Sequence, residues 1–326
     1  MLQASDSSTT DAIFERVAAM QSTETSSAYQ CRNYLNDETL PCGTSLDTDA
    51  VDASCRAKMI EWLFSIVDYC GFDRDTVSVA ASLSDQFLSR QTVDAREALS
   101  DRSQFQLVFI TALHIAVKTR EPMQMDGTLL SKLSRGKYSV HDFITCERQL
   151  LSGVNWRVNC PTAMEFVHEL LSLLPKNGIR RANVEKHVVE CAGRMLQLAI
   201  GCCDCIATKP SDVALAAVSE IIEDVSYRDL PSRQRNIFFA TLEEATGRSM
   251  DSETVSVARG MIQQCAVAEF ILRSGTRHYH EKVELSRATS TDGVKETTES
   301  LDESSPVCVS RLSLSYSSST INTTSR

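Results

Sequence analysis

No stretch of about 18 or more uninterrupted apolar residues occurs in this 326-residue chain, so nothing in it reads as a membrane-spanning helix. The N-terminus also lacks the charged-then-apolar order of a secretory signal, and a soluble, intracellular protein with no membrane partner is expected. Lysine and arginine never gather into a run, and the formal net charge is −10. Bulk attraction for a polyphosphate is therefore missing, and direct nucleic-acid binding is not expected. Absent too are a glycine-rich phosphate loop, HExxH, GxSxG and any His/Cys pair at catalytic spacing. Each of those patterns carries a definite chemistry. Without them no catalytic residue and no cofactor is assigned, and a non-catalytic protein is expected.

The 12 cysteines are scattered through apolar segments, as at Cys70, Cys146, Cys191 and Cys265, which reads as reduced and buried rather than disulfide-bonded. Cys202, Cys203 and Cys205 lack a second pair or a nearby histidine at finger-like spacing, so no metal site is expected there. His278 and His280 stand in a polar segment without a companion ligand and read as surface.

What the chain does have is helical pattern. A length of 326 residues with 42% hydrophobic content favours two compact units with tails. CRAKMIEWLFSI, TVSVAASLSDQFLS and FQLVFITALHIAVK, between residues 55 and 118, are of helix length. In the first, Ile60, Leu63, Phe64 and Val67 share one face and Met59, Trp62, Ile66 and Tyr69 another. The third is apolar nearly all round in the same way, and such helices sit inside bundles. Helices are expected near 53–70, 75–89, 101–119, 126–134 and 140–152, with Asp75 and Ser139 as caps. Gly71 and Gly153 are placed just past helix ends, where a left-handed residue is wanted, and Pro122 stops the third helix. A second helical unit follows from Pro161, built from TAMEFVHELLSLL, VEKHVVECAGRMLQLAIGC, PSDVALAAVSEIIEDV, PSRQRNIFFATLEEAT and DSETVSVARGMIQQCAVAEFIL. Two of these begin with Pro-Ser, which combines a helix start with capping chemistry. Ahead of the bundle, DAIFERVAAM forms a short helix capped by Asp11, with Ile13, Phe14, Val17 and Met20 on its sticky side.

The run Arg56, Trp62, Leu63, then Asp85, Phe87, Leu88, then Gln106, Leu107, Val108, Ala112, Ala116 and Lys118 resembles the cyclin box. The likeness continues through Tyr138, Glu147, Leu151, Trp156, Pro161, Thr162 and Phe166, and its strong part covers about residues 52–168. Pro210, Ser211, Val213, Ala214, Ala216 and Ala217 look like a helix of a cyclin's C-terminal domain. The resemblance implies an all-α protein of two tandem five-helix cyclin-fold domains with disordered Ser/Thr-rich tails. The expected division is an N-terminal extension at 1–51, a cyclin box at 52–160, a second cyclin-like domain at 161–273 and a tail at 274–326.

It further implies a regulatory subunit that binds and activates a cyclin-dependent Ser/Thr protein kinase in cell-cycle control, present in nucleus and cytoplasm. The alternatives are a transcriptional cyclin or a kinase-independent scaffold in transcription. Carried over residue by residue, Lys118 and Glu147 would bond the kinase around its C-helix, with Leu150, Leu151 and Val158 as the greasy part of the same face. Read without the family, these two charges are a helix-end lysine favoured by the macrodipole and a helix-surface glutamate. Arg56 and Asp85 would pair between the first two helices; the alternative is two solvated charges.

The chain departs from the family after Lys118, where Thr119, Arg120 and Glu121 replace an aromatic or Met and two acids. Met59, Trp62, Phe105 and Gln106 fit the family's docking patch for RxL-bearing substrates or inhibitors. Cys55, Lys58 and Ser65 do not, the last replacing an acid that meets the ligand's arginine. Arg32 to Leu35 has the bare RxxL form of a destruction box, although Tyr34 and Leu35 could equally pack on the bundle. In the tail, Ser305-Pro306 and Arg311 to Leu314 have the form of phosphorylation or docking signals, and no LxCxE element is present.

Overall fold

The computed structural model describes residues 2–36 and 51–267. The Pro41-Cys42-Gly43 turn, His278, His280, Ser305-Pro306, Arg311 to Leu314 and the expected disordered tail lie outside the described residues. Among the described residues all regular structure is helical. A first helix, α1 (Leu2–Thr25), precedes a bundle of α2 (Ala53–Cys70), α3 (Asp75–Leu88), α4 (Val93–Ser100), α5 (Arg102–Arg120), α6 (Gly127–Leu133) and α7 (Val140–Gly153). A second bundle follows: α8 (Ala163–Ser172), α9 (Arg181–Gly201), a 3-10 turn (Cys203–Cys205), α10 (Pro210–Asp224), α11 (Ser232–Thr246) and a last helix, α12, over 253–267.

Each bundle is organised by one helix with no polar face. In α5 every residue from Leu107 to Val117 is buried, and α2, α3, α4 and α7 pack around it. In α10 every residue from Ser211 to Ser219 is buried, against α8 and α9. Burying a Leu- or Phe-sized side chain contributes roughly 1.5–3 kcal/mol, so helices apolar on all sides gain most at the centre. Short polar side chains set where helices begin. Asp52, Thr92, Asp101 and Asp126 accept from backbone amides of the first turn. Ser139 with Asp142 and Thr162 with Glu165 form reciprocal capping boxes, satisfying donors a helix start leaves open.

Several local expectations are corrected. Asp11 lies inside α1 rather than capping it. Ile13 and Val17 are nonetheless buried in the second core, with Phe14 and Met20 beside them, as α1 packs on α8 and α11. Asp75 is the first residue of α3 and caps nothing; its carboxylate instead accepts from Thr162 Oγ1 at 2.7 Å. Neither Pro-Ser step caps its helix through the serine side chain. Gly71 has φ +70°, as a left-handed helix end requires. Gly153, however, is still within α7, and a Cβ there would meet Phe87 Cδ2 at 2.7 Å. Its hydrogen is what lets α7 lie on α3. The positive φ falls on Asn155 and Trp156, at 53° and 59°. The short helix α4 was not expected, because only Ala95 and Ala98 are buried in it and two alanines make no readable stripe.

The bundles meet along a polar seam. Arg56 Nη1 donates to the Ile200 carbonyl at 2.7 Å, and Arg74 Nη1 to Gln197 Oε1 at 2.7 Å. Arg120 Nη1 donates to Glu165 Oε1 at 2.5 Å. A cavity of about 350 Å³ opens between the units, lined by Tyr29, Cys31, Arg56, Cys160, Leu196 and Cys205 among others.

Candidate partner-binding surface

The last turn of α5 and the middle of α7 lie side by side because α7 buries its Phe143, Cys146 and Leu150 face in the first core, which α5 runs through. That places Lys118 Nζ 2.7 Å from Glu147 Oε1, with the lysine side chain 38% and the glutamate 22% exposed. Beneath them, one turn earlier on α5, His114 is buried with its Nδ1 unpartnered. Burial first, and the Lys118 charge second, push the His114 pKa below its ordinary value, so no second cation sits below the pair at neutral pH. Cys146, one residue before Glu147, is buried as well, and burial pushes its thiol up to about 11.

The face of α7 around Glu147 is set by helical spacing. Ile144, Glu147 and Leu151 follow one another at three and four residues, hence on one stripe. Ile144 is 49% exposed, while Leu151 and Val158 are half-buried against the first core. Leu150 is different: it is fully buried and supports the surface from beneath. Ile144 is the apolar neighbour that sequence reasoning missed. Trp156, 70% exposed, follows the helix, its backbone N–H donating to the Leu151 carbonyl at 2.8 Å.

The residues after Lys118 are used inside the fold. Thr119 Oγ1 donates back to Ile115 at 3.1 Å. Arg120 reaches Glu165, whose other oxygen accepts from the Thr162 backbone in the capping box at 2.9 Å. Glu121 Oε1 accepts from the Asp73 backbone N–H at 3.0 Å and from Thr76 Oγ1 at 2.5 Å. This Thr-Arg-Glu run therefore braces α5 against α3 and α8.

Arg56 and Asp85 form a two-pronged ion pair, Nε to Oδ1 at 3.0 Å and Nη2 to Oδ2 at 2.7 Å, with side chains 2% and 8% exposed. Burial works against the guanidinium charge, but attraction to and hydrogen bonding with Asp85 outweigh it and raise its pKa further. Tyr34 completes the group, its hydroxyl donating to Asp85 Oδ1 at 2.8 Å. Arg32 and Leu35 are held alongside: Arg32 Nε donates to the Ser89 carbonyl at 3.0 Å, and Leu35 packs on the first core. The RxxL stretch is thus strapped to the bundle.

Of the docking-patch residues, Met59, Trp62 and Phe105 are almost closed to solvent, and the Trp62 indole N–H has no acceptor. Gln106 Oε1 accepts from Tyr138 Oη at 3.0 Å and from Lys137 Nζ at 3.1 Å. Lys137 also stands over the Tyr138 ring at 5.3 Å from its centroid, adding a positive charge that the sequence did not point to.

Two further clusters were missed. Glu24, buried at the end of α1, accepts from the Ser211 backbone N–H at 3.0 Å and from the Ser211 hydroxyl. Arg248 bridges Ser211, Asp212 and Glu24. Burial raises the Glu24 pKa above its ordinary 4.5, against the lowering hydrogen bonds from Ser211. The other cluster is sulfur: Cys202 and Cys205 are joined by Cys265 of α12, the three ligand atoms within 4.8 Å of one another. Cys265 gave no signal in the local sequence because it reaches the other two only through the packing of the last helix.

Residues 21–159 match the family model for the cyclin N-terminal domain. Mouse cyclin-G1 is 27% identical over 207 residues, covering 58% of this chain and 64% of that protein. The chain thus spans slightly less than two thirds of the length of such curated relatives. The G2/mitotic-specific cyclin-A1 of Caenorhabditis elegans is 28% identical over 167 residues, 51% of this chain and 31% of that protein. Among solved structures, a viral cyclin from herpesvirus saimiri superimposes with a TM-score of 0.52 at 16% identity, covering 66% of this chain and 87% of that one. At that identity the likeness is one of fold, and it is the tandem cyclin fold.

Proposed function

We propose that this chain, whose residues 21–159 match the cyclin N-terminal domain and which is similar to cyclin-G1, is a non-catalytic regulatory subunit of the cyclin family that binds and activates a cyclin-dependent Ser/Thr protein kinase. The observation that carries this reading is the Lys118–Glu147 pair, partly exposed at 2.7 Å and flanked by Ile144, Leu151 and Val158. Charged groups held at a fixed separation beside apolar side chains suit a helix of a partner, offering hydrogen bonds at the centre and greasy contact around them. The mechanism is differential binding. The chain shifts the kinase toward the state with its C-helix turned inward, and only by as much as it contacts that state better than the inactive one. That state completes the kinase's lysine–glutamate pair on the phosphates of ATP. Similarity to a mitotic cyclin supports a place in cell-cycle control.

The test is purification of the full chain with its associated kinase and measurement of substrate phosphorylation with and without the chain. Stimulation is expected. Lys118→Ala combined with Glu147→Ala should abolish kinase binding, while costing the isolated protein no more than about 1 kcal/mol, the ceiling for a partly exposed pair. A chain that forms a stable complex with no kinase would instead be a kinase-independent scaffold. A double variant that binds as well as the parent would show that this surface does not hold the kinase.

A further inference from the structure

Cys202 closes the C-terminal end of α9, Cys205 ends the 3-10 turn, and Cys265 arrives from α12. All three are free thiols of intermediate burial, and their sulfur atoms all lie within 4.8 Å of one another. Cys203, between the first two in sequence, stays out of the group. It packs against the first core and its thiol lies 3.7 Å from Asp204 Oδ1. The Cys-x-x-Cys spacing with an intervening turn brings two sulfurs to one side, as half of a metal site does. The third sulfur comes from a helix that is independently anchored to the same unit. Val255, Ala258 and Ile262 are buried in the second core, and Arg259 Nη2 donates to Ser219 Oγ at 2.8 Å. Sulfurs bound to one zinc ion at about 2.3 Å in tetrahedral geometry stand roughly 3.8 Å apart. The present trio, within 4.8 Å, stands no more than about 1 Å wider than that spacing.

We infer that Cys202, Cys205 and Cys265 form a zinc site joining the last helix to the end of α9. Each cysteine binds as its thiolate, releasing its proton to solvent, and a water completes the tetrahedron. Three convergent sulfurs favour a thiophilic cation over hard ions such as magnesium or calcium, which take oxygen ligands. A disulfide between Cys202 and Cys205 would leave the approach of Cys265 without a use. The site's position matters, because the carbonyls of Ile200 and Cys202, beside it, are the ones Arg56 holds at 2.7 and 3.4 Å.

The experiment uses the full chain, reduced and stripped with a chelator, titrated with Co2+ as a spectroscopic probe and then with zinc. One equivalent of Co2+ should give thiolate-to-cobalt charge-transfer absorption that zinc abolishes by displacement. Cys265→Ser and Cys205→Ser should lose that absorption, and Cys203→Ser should keep it. Zinc should raise the melting temperature of the parent and of Cys203→Ser, but not of Cys265→Ser. X-ray absorption of the zinc-loaded parent gives a reading independent of whether a variant folds: a first shell of three sulfurs at about 2.3 Å is expected. No cobalt–thiolate band, a band removed by Cys203→Ser or kept by Cys265→Ser, or a shell without sulfur would each overturn the assignment.

Discussion

Replacing Asp85 by alanine removes the acceptor of two guanidinium bonds and one tyrosine bond at once, and leaves Arg56 charged in a space where its side chain is 2% exposed. Arginine does not escape by losing its proton, and the Ile200 carbonyl it keeps at 2.7 Å supplies only a partial charge. Breaking a buried ion pair by deleting one partner costs about 3–5 kcal/mol. Asp85→Asn keeps the shape while removing the charge, so most of the loss should persist. Tyr34→Phe removes a single bond to a charged acceptor and should cost about 1.5–3 kcal/mol. Urea unfolding of the full chain, followed by circular dichroism, should show a lower midpoint at unchanged slope for all three variants, with Asp85→Ala lowest. If Asp85→Ala and Asp85→Asn both stay within about 1 kcal/mol of the parent, loss of the carboxylate does not leave a buried, uncompensated charge on Arg56, and the expected cost of breaking the pair is refuted.

Gly153→Ala forces a Cβ to 2.7 Å from the Phe87 ring, and overpacking of this kind should destabilise by about 1–3 kcal/mol, which calorimetry would register. Pairing it with Phe87→Leu should recover part of the loss. For Glu24, the folded pKa lies above the ordinary value, so its contribution to stability is present at low pH and is lost as pH rises through the folded value. Melting temperatures of the parent and Glu24→Gln, compared from pH 4.5 upward, should therefore shift in favour of the Gln variant as pH rises, and a constant difference would contradict the burial argument. RxL peptides should bind weakly, since Ser65 offers no negative charge and Lys58 and Lys137 add positive ones. Ser65→Glu should tighten a fluorescent RxL peptide by roughly ten- to a hundredfold, and tight binding by the parent, lost in Trp62→Ala, would show the patch to be intact.

Helices α2, α3 and α5 were legible because nearly every turn carries apolar residues, and burial follows from pattern alone. Register on α7 was less so. Leu150 and Leu151 are equally apolar in sequence, yet one is fully buried and the other half-buried, and a residue's angular position decides which. Ile144 went unread for the same reason. Asp75 has the look of a cap, but its partner Thr162 belongs to the next bundle, and contacts of that range leave no local trace. The same holds for Glu24 with Ser211 and for Cys265 with Cys202. Gly153 reads in the sequence as a left-handed residue past a helix end, whereas it lies inside α7 and is required by the neighbouring Phe87 ring, a contact with another helix that the local sequence does not show.

The bonds from Arg56 to the carbonyls of Ile200 and Cys202 have a consequence for dividing the protein. Those carbonyls terminate α9, where a helix exposes unpaired acceptors and the negative end of its dipole. A side chain rooted in the first bundle thus serves as the C-terminal cap of a helix in the second. A fragment ending near residue 160 would present this guanidinium with its third arm emptied toward solvent. The complementary fragment would fray at the end of α9, next to the three sulfurs. The two halves repeat a fold, but neither is electrostatically finished without the other.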